Sequence, residues 1–131
     1  MSIAASGMMA AQVQLTASAS NVANMQDDGP LPAGAPAAQA AASAYQPVTV
    51  NQTTAPGGGV QTSLSSVTPG TVLAYDPSAP FANLQGMVAA PNVDPAAEMV
   101  NQLTATIAFK ANLAVFKAAE SDDKALFETM A

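Results

Sequence analysis

The sequence predicts a mainly α protein in which N- and C-terminal helices pair as a coiled-coil-like inner domain, with a small β-hairpin outer domain between them. Three observations predict it. The C-terminal stretch carries no proline or glycine after Pro95. The N-terminal stretch repeats its apolar residues at helical spacing. Between them, two short runs with alternating valine and leucine flank a cluster of glycines. On this basis the chain divides into an N-terminal helix over 1–26, a Pro/Ala-rich linker over 27–44, a small β unit with an ordered loop over 45–90, and a C-terminal helix over 91–131.

The C-terminal stretch opens with a helix start signal. Asp94 is suited to cap backbone N–H groups, Pro95 fits the first helical position, and Glu98 places negative charge in the first turn. The composition that follows favours helix for about 35 residues, on the order of 50 Å, which is the length of a coiled coil or repeat rather than an ordinary globular helix. Phe109, Leu113, Phe116, Phe127 and Met130 follow an alternating 4,3 spacing, with Glu120 and Asp123 at the two interrupted steps. Met99, Val100, Leu103 and Ile107 form a second apolar cluster, rotated well around the axis. Two apolar faces require more than one neighbour. An ordinary helix buried in a small bundle is the plainer reading, but the rest of the chain offers few helices to bury it.

The N-terminal 26 residues carry the second pattern: Met8, Ala11, Leu15, Ser18, Val22 and Met25 keep a 3,4 spacing of small and medium side chains, with Ile3, Met9 and Val13 to the side. Gly7, several Ser and Thr residues and the lack of charge pairs make such a helix marginal alone, so it is expected to order against a partner. A disordered Ala/Ser-rich leader is the competing reading. Asn21 and Asn24 suit helix termination and interhelical hydrogen bonds.

From Asp27 to Ser43 there are three prolines, two glycines and seven alanines, the composition of a linker. The runs 45–54 and 60–67 alternate around Val48, Val50, Val60 and Leu64, and the APGGG between them predicts a hairpin. Thr71 to Tyr75 is a candidate third strand. The segment that follows is expected to run as an ordered loop into the long helix, with Tyr75, Phe81, Leu84 and Val88 packing against the β unit.

Composition narrows the function. With 131 residues this is one compact domain at most. Cysteine, histidine, arginine and tryptophan are absent, which removes disulfides, thiolate zinc sites, the commonest general base and the bidentate anion clamp. A net charge of −6 with three lysines argues against nucleic acid and anionic membrane as partners. No basic residue precedes Lys110, so a secretory signal's positive n-region is missing, and the polar residues of the first 26 make them unfit to span a bilayer. Export, if it occurs, is expected by a route without a cleaved signal. No cofactor or metal is expected. An enzyme would have to rely on Asp76, Asp94 and Glu98, with a divalent cation as the group they could hold, yet Asp94 is better read as a cap and Asp76 as a turn residue before Pro77. The lysines, spaced by seven, read as a solvated stripe, since Glu120, Lys124 and Glu128 form an i,i+4 series.

Both ends of the chain resemble the bacterial flagellar axial proteins. At the N-terminal end, a Ser-Gly-Met stretch (Ser6–Met8) leads into the seam and closes on Asn-Val-Ala-Asn (Asn21–Asn24). At the other end, Tyr75–Pro77, Gly86–Val88, Pro91–Asp94, Glu98–Met99, Ala111–Leu113 and Phe116–Ala118 are similar to the pattern of basal-body rod proteins, in particular those of the proximal rod. The resemblance covers roughly residues 2–26 and 70–131. It implies a structural, non-enzymatic subunit of the flagellar basal body that lies in the periplasmic rod and transmits torque. Its partners would be other rod subunits, copies of itself and the flagellar type III export apparatus, with neither nucleic acid nor membrane insertion. Its subunit-interface residues would be Met8, Leu15, Asn21, Val22, Asn24, Met99, Val100, Leu103, Ile107, Phe109, Leu113, Phe116 and Phe127. A competing function for the same amphipathic helices is an export adaptor or chaperone-like binding protein.

Overall fold

The computed structural model, which describes residues 2–31 and 43–130, has two helices and four strands in the order α1 (Ser2–Ala23), β1 (Val48–Thr54), β2 (Val60–Ser66), β3 (Thr71–Tyr75), β4 (Met87–Pro91) and α2 (Pro95–Met130). The two helices account for about half of the described chain. Most of the expected linker, residues 32–42, lies outside the described residues, as do Met1 and Ala131.

α2 begins where Asp94 stands. Its carboxylate accepts hydrogen bonds from the Ala96 N–H at 2.9 Å and the Ala97 N–H at 3.3 Å, covering two of the donors that a helix start leaves unpaired. α1 ends at Ala23, where the Asn24 side-chain amide donates to the Ser20 carbonyl at 2.8 Å.

The helices pack antiparallel, with Asn21 and Ser18 level with Glu98 and Gly7 level with Asn112. The buried line on α1 is made of Ala4, Ala10, Ala11, Ala17, Ser18 and Asn21, and it meets the buried Ala105 of α2. This line shares Ala11 and Ser18 with the seam expected from the sequence. It leaves Met8 and Val22 half-buried on the flank and Leu15 38% exposed. Small side chains let the two backbones come close, and a larger residue in the line would hold them apart. Gly7 marks the tightest point: a Cβ there would lie 2.6 Å from the Asn112 side-chain oxygen.

β1 and β2 form the expected antiparallel hairpin, with Val50 opposite Leu64 and Thr54 opposite Val60. Gly57, Gly58 and Gly59 turn it with φ of 93°, 93° and 96°, a conformation that residues with a Cβ rarely adopt. The hairpin lies lengthwise against α1. Its open end meets Asn21, and near its tip the Val60 N–H donates to the Ser6 hydroxyl at 3.1 Å.

Thr71–Tyr75 is a strand, as expected, but it belongs to a second sheet. Its partner is β4, Met87–Pro91, in the stretch read from sequence as loop. The other edge of β4 is covered by Gly29, whose N–H and carbonyl exchange 2.9 Å hydrogen bonds with Ala89. Val88 is wholly buried here. Tyr75 and Leu84 are exposed and Phe81 is 38% exposed, because the 76–86 loop closes on itself instead of folding back. In that loop the Asp76 carboxylate accepts from the Ser78 N–H and hydroxyl, and the Asn83 side-chain oxygen accepts from the Gln85 and Met87 N–H groups.

The close helix contact yields a sign-changing test. Gly7→Ala alone displaces the Asn112 amide and should forfeit most of the roughly 1 kcal/mol by which alanine outperforms glycine in a helix. In an Asn112→Ala background the same change should raise stability by about that amount. Thermal unfolding of the four variants followed by circular dichroism reads the difference.

Candidate assembly surface

Asn21 sits where α1, α2 and the hairpin meet, and it is 1% exposed. Its side-chain amide donates to the Val48 carbonyl at 2.8 Å and to Glu98 Oε1 at 2.7 Å. Its oxygen accepts from the Val48 N–H at 3.0 Å and the Tyr45 hydroxyl at 3.1 Å. All four hydrogen-bonding positions of the amide are therefore used, as a buried amide requires. The ring of contacts extends through Ser18, whose hydroxyl donates to the Glu98 carbonyl at 3.0 Å, and Asn101, whose amide donates to Glu98 Oε2 at 3.3 Å. A polar cleft of about 230 Å³ opens beside this node between Ser18, Val50 and Asn101.

The large apolar side chains point elsewhere. Met99, Val100, Leu103 and Ile107 form a row on α2 in which every member is more than half exposed. Leu15 and Phe109 flank a groove of about 310 Å³ floored by Ala11 and Ala105, with Lys110 at its rim. Leu113 and Phe116 are half-buried, and Phe127 and Met130 are exposed. Of the residues read from sequence as interface-forming, the structure thus brings Leu15 and Phe109 together at one groove. Asn21 lies inside the chain, Asn24 at the end of α1, and Met99, Val100, Leu103 and Ile107 on a separate open face. Contiguous exposed apolar surface of this kind marks a surface for macromolecular contact.

The acidic residues are spread through the fold. Asp94 caps α2, Glu98 serves the Asn21 node, and Asp76 closes its own turn, where first the Ser78 hydroxyl and then the Ser78 N–H hold its carboxyl below the ordinary range. Among the described residues no three His, Cys, Asp or Glu side chains come together. No described helix is long and apolar enough to cross a membrane.

Comparison with known proteins places both the C-terminal region and nearly the whole chain beside flagellar rod proteins. Residues 84–128, from the tip of the β3–β4 loop through most of α2, match the family described as flagellar basal body rod FlgEFG protein C-terminal. The flagellar basal-body rod protein FlgC of Aquifex aeolicus (strain VF5) is 32% identical over 130 residues, spanning 96% of this chain and 91% of that relative. The chain belongs to the FlgC family of flagellar basal-body rod proteins. Two further FlgC proteins match over shorter stretches. That of Buchnera aphidicola subsp. Acyrthosiphon pisum is 47% identical over 49 residues, 37% of this chain and 36% of its own length. That of Bacillus subtilis (strain 168) is 46% identical over 46 residues, 35% of this chain and 31% of its own length.

Within this FlgC-family chain the residues that sequence reasoning missed are the partners of Asn21. Glu98 was legible as a first-turn acid and Tyr45 as the start of a strand. Nothing local indicated that both face one asparagine. Removing that asparagine takes the side-chain partner from both the Val48 N–H and the Val48 carbonyl and leaves Glu98 without its shortest hydrogen bond, and each buried polar group left unpaired costs about 1–3 kcal/mol. Asn21→Ala should therefore lower stability by roughly 3 kcal/mol, read by urea unfolding. Asn21→Asp removes both amide donors and sets a second carboxylate against Glu98, so its deficit in the same urea unfolding should exceed that of Asn21→Ala.

Proposed function

We propose that the chain is a structural subunit of the flagellar basal-body rod, placed in its proximal section, where its terminal helices polymerise into the shaft that transmits torque. The observation that carries this reading is the match to a FlgC protein over 96% of this chain, joined to a fold whose large apolar side chains face outward. It is a structural role and not a catalytic one. The interface would draw on Met8, Leu15 and Val22 on α1, and on Met99, Val100, Leu103, Ile107, Phe109, Leu113, Phe116 and Phe127 on α2. Asn21 and Asn24 would hold the register and end of α1 from within. In the assembly these rows would form the coiled-coil-like contacts that their 3,4 spacing suits.

Partners would be neighbouring rod subunits and further copies of this chain, with the flagellar type III apparatus as the export route to the periplasmic rod. The physics favours such a route. A helix pair joined through alanine buries little apolar area, so the chain is easily kept unfolded, and it gains stability when neighbours cover the outer rows.

Ile107 provides the test. Its side chain is 59% exposed, so Ile107→Asp should leave the chain's own unfolding midpoint nearly unchanged. In a subunit contact the same carboxylate would be buried without a partner, a loss large enough to abolish assembly. The expected outcome in cells is normal expression and secretion of the variant, no incorporation into basal bodies, and no motility. Wild-type swimming would count against the reading.

A further inference from the structure

α2 runs past the described residues of α1. The antiparallel register that sets Asn21 level with Glu98 and Gly7 level with Asn112 brings Ser2 level with Lys117, and every residue of α2 from Glu120 to Met130 is exposed. The overhang is helical throughout and about 20 Å long. One side of it continues the 4,3 row of Phe109, Leu113 and Phe116 as Glu120, Asp123, Phe127 and Met130. It is strongly acidic, with Glu120, Asp122, Asp123 and Glu128 against Lys124, and Lys124 pairs with Glu120 at 3.4 Å.

The groove beside Leu15 and Phe109 is its complement in charge. It is apolar, α1 contributes no charged residue to it, and Lys110 stands at its rim. Glu120–Lys124 is the single ion pair among the described residues, so Lys110 has no acid within pairing distance there. Asp123 precedes Phe127 by one helical turn and lies on the same side. A Phe127 ring seated between Leu15 and Phe109 would therefore carry Asp123 to within reach of a lysine at the groove's rim.

We infer that the overhang of one copy docks into the Leu15–Phe109 groove of a second copy, with Phe127 as the anchor and Asp123 facing Lys110. The inference rests on the rod reading above and specifies one of its contacts. The interface is heterologous: each copy offers one overhang and one groove, so the contact propagates head to tail as an axial assembly requires. The acidic steps in the row serve as the selective element, because an overhang placed in an apolar groove without a cation would bury them unpaired.

The chain contains no cysteine, which makes cross-linking clean. Glu128 lies about 29 Å along α2 from Phe109, too far for a bond to Gln12, which lines the groove, in the same copy. Basal bodies would be purified from cells in which the Gln12→Cys/Glu128→Cys variant, which keeps Leu15 and Phe127, replaces the native chain, then oxidised and run without reductant. A ladder of dimers and higher multiples is expected, with each single-cysteine variant remaining monomeric. Lys110→Glu in the same background should weaken the ladder about tenfold, and adding Asp123→Lys should restore it. If basal bodies hold the chain at the native amount but no ladder forms, or the cross-link runs to a subunit of different mass, the docking is overturned and the rod reading stands. If the native chain is itself absent from basal bodies, the rod reading falls first. Should the double-cysteine variant fail to incorporate, the charge swap in the otherwise native chain decides. Incorporation lost with Lys110→Glu must return with Asp123→Lys, and failure to return refutes the contact.

Discussion

The Asn21 amide is the constraint on which the rest of the fold depends. The α1–α2 contact is built largely from alanine, glycine and serine, and such a surface has few features to stop one helix sliding or turning against the other. Four directed hydrogen bonds supply what packing does not. They tie α1 to Glu98 in the first turn of α2, to both backbone groups of Val48 at the start of the hairpin, and to Tyr45 before it. Glu98 is in place because Asp94 fixes where α2 begins. The cap thus sets the helix, the helix sets the carboxylate, and the carboxylate sets the rotation of α1. A buried polar network of this kind is costly if half-formed and specifying if complete, and here no described buried side-chain polar atom lacks a partner.

The distribution of side chains is close to the reverse of that in a self-sufficient domain. Alanines occupy the interior while leucine, isoleucine, methionine and phenylalanine line the outside. Because hydrophobic stabilisation scales with the apolar area removed from water, a contact made by alanines contributes little per residue. What it contributes is closeness: two thin backbones leave the broad faces of both helices open to neighbours. The balance is the one the proposed rod role would call for: a chain weak enough alone to be kept unfolded and strong enough in company to bear load.

Much of this was legible in the sequence. The helix start at Asp94, the length of α2, the hairpin around APGGG and the third strand all follow from local signals that tertiary structure did not override. The face of α1 was harder to read. Ala11 and Ser18 belong to two overlapping 3,4 rows, one completed by Met8, Leu15 and Val22 and the other by Ala4, Gly7 and Asn21. Hydrophobicity favours the first row. Close backbone approach selects the second, and no local pattern reports that approach. β4 was missed for a related reason: Met-Val-Ala-Ala-Pro lacks alternation, since Val88 and Ala89 are both buried, one within the fold and the other beneath Gly29. Among interface residues, sequence periodicity identified those that are apolar and helical. It could not separate an asparagine that binds inside the chain from one at an outer surface.

The interrupted row on α2 bears on why so acidic a chain would assemble with itself. At a net charge of −6, copies repel one another at long range, and an uninterrupted row of phenylalanine and leucine would overcome that repulsion by associating with any apolar surface. Acids at the 120 and 123 steps make indiscriminate association costly, because each must either stay wet or meet a cation. With only three lysines in the chain, and one of them already engaged by Glu120, few surfaces can satisfy that condition. Residues that weaken the row as a general hydrophobic seam therefore sharpen it as a selective one. A small loss of contact energy is exchanged for discrimination against the wrong neighbour, which an axial polymer built one subunit at a time needs more than it needs affinity.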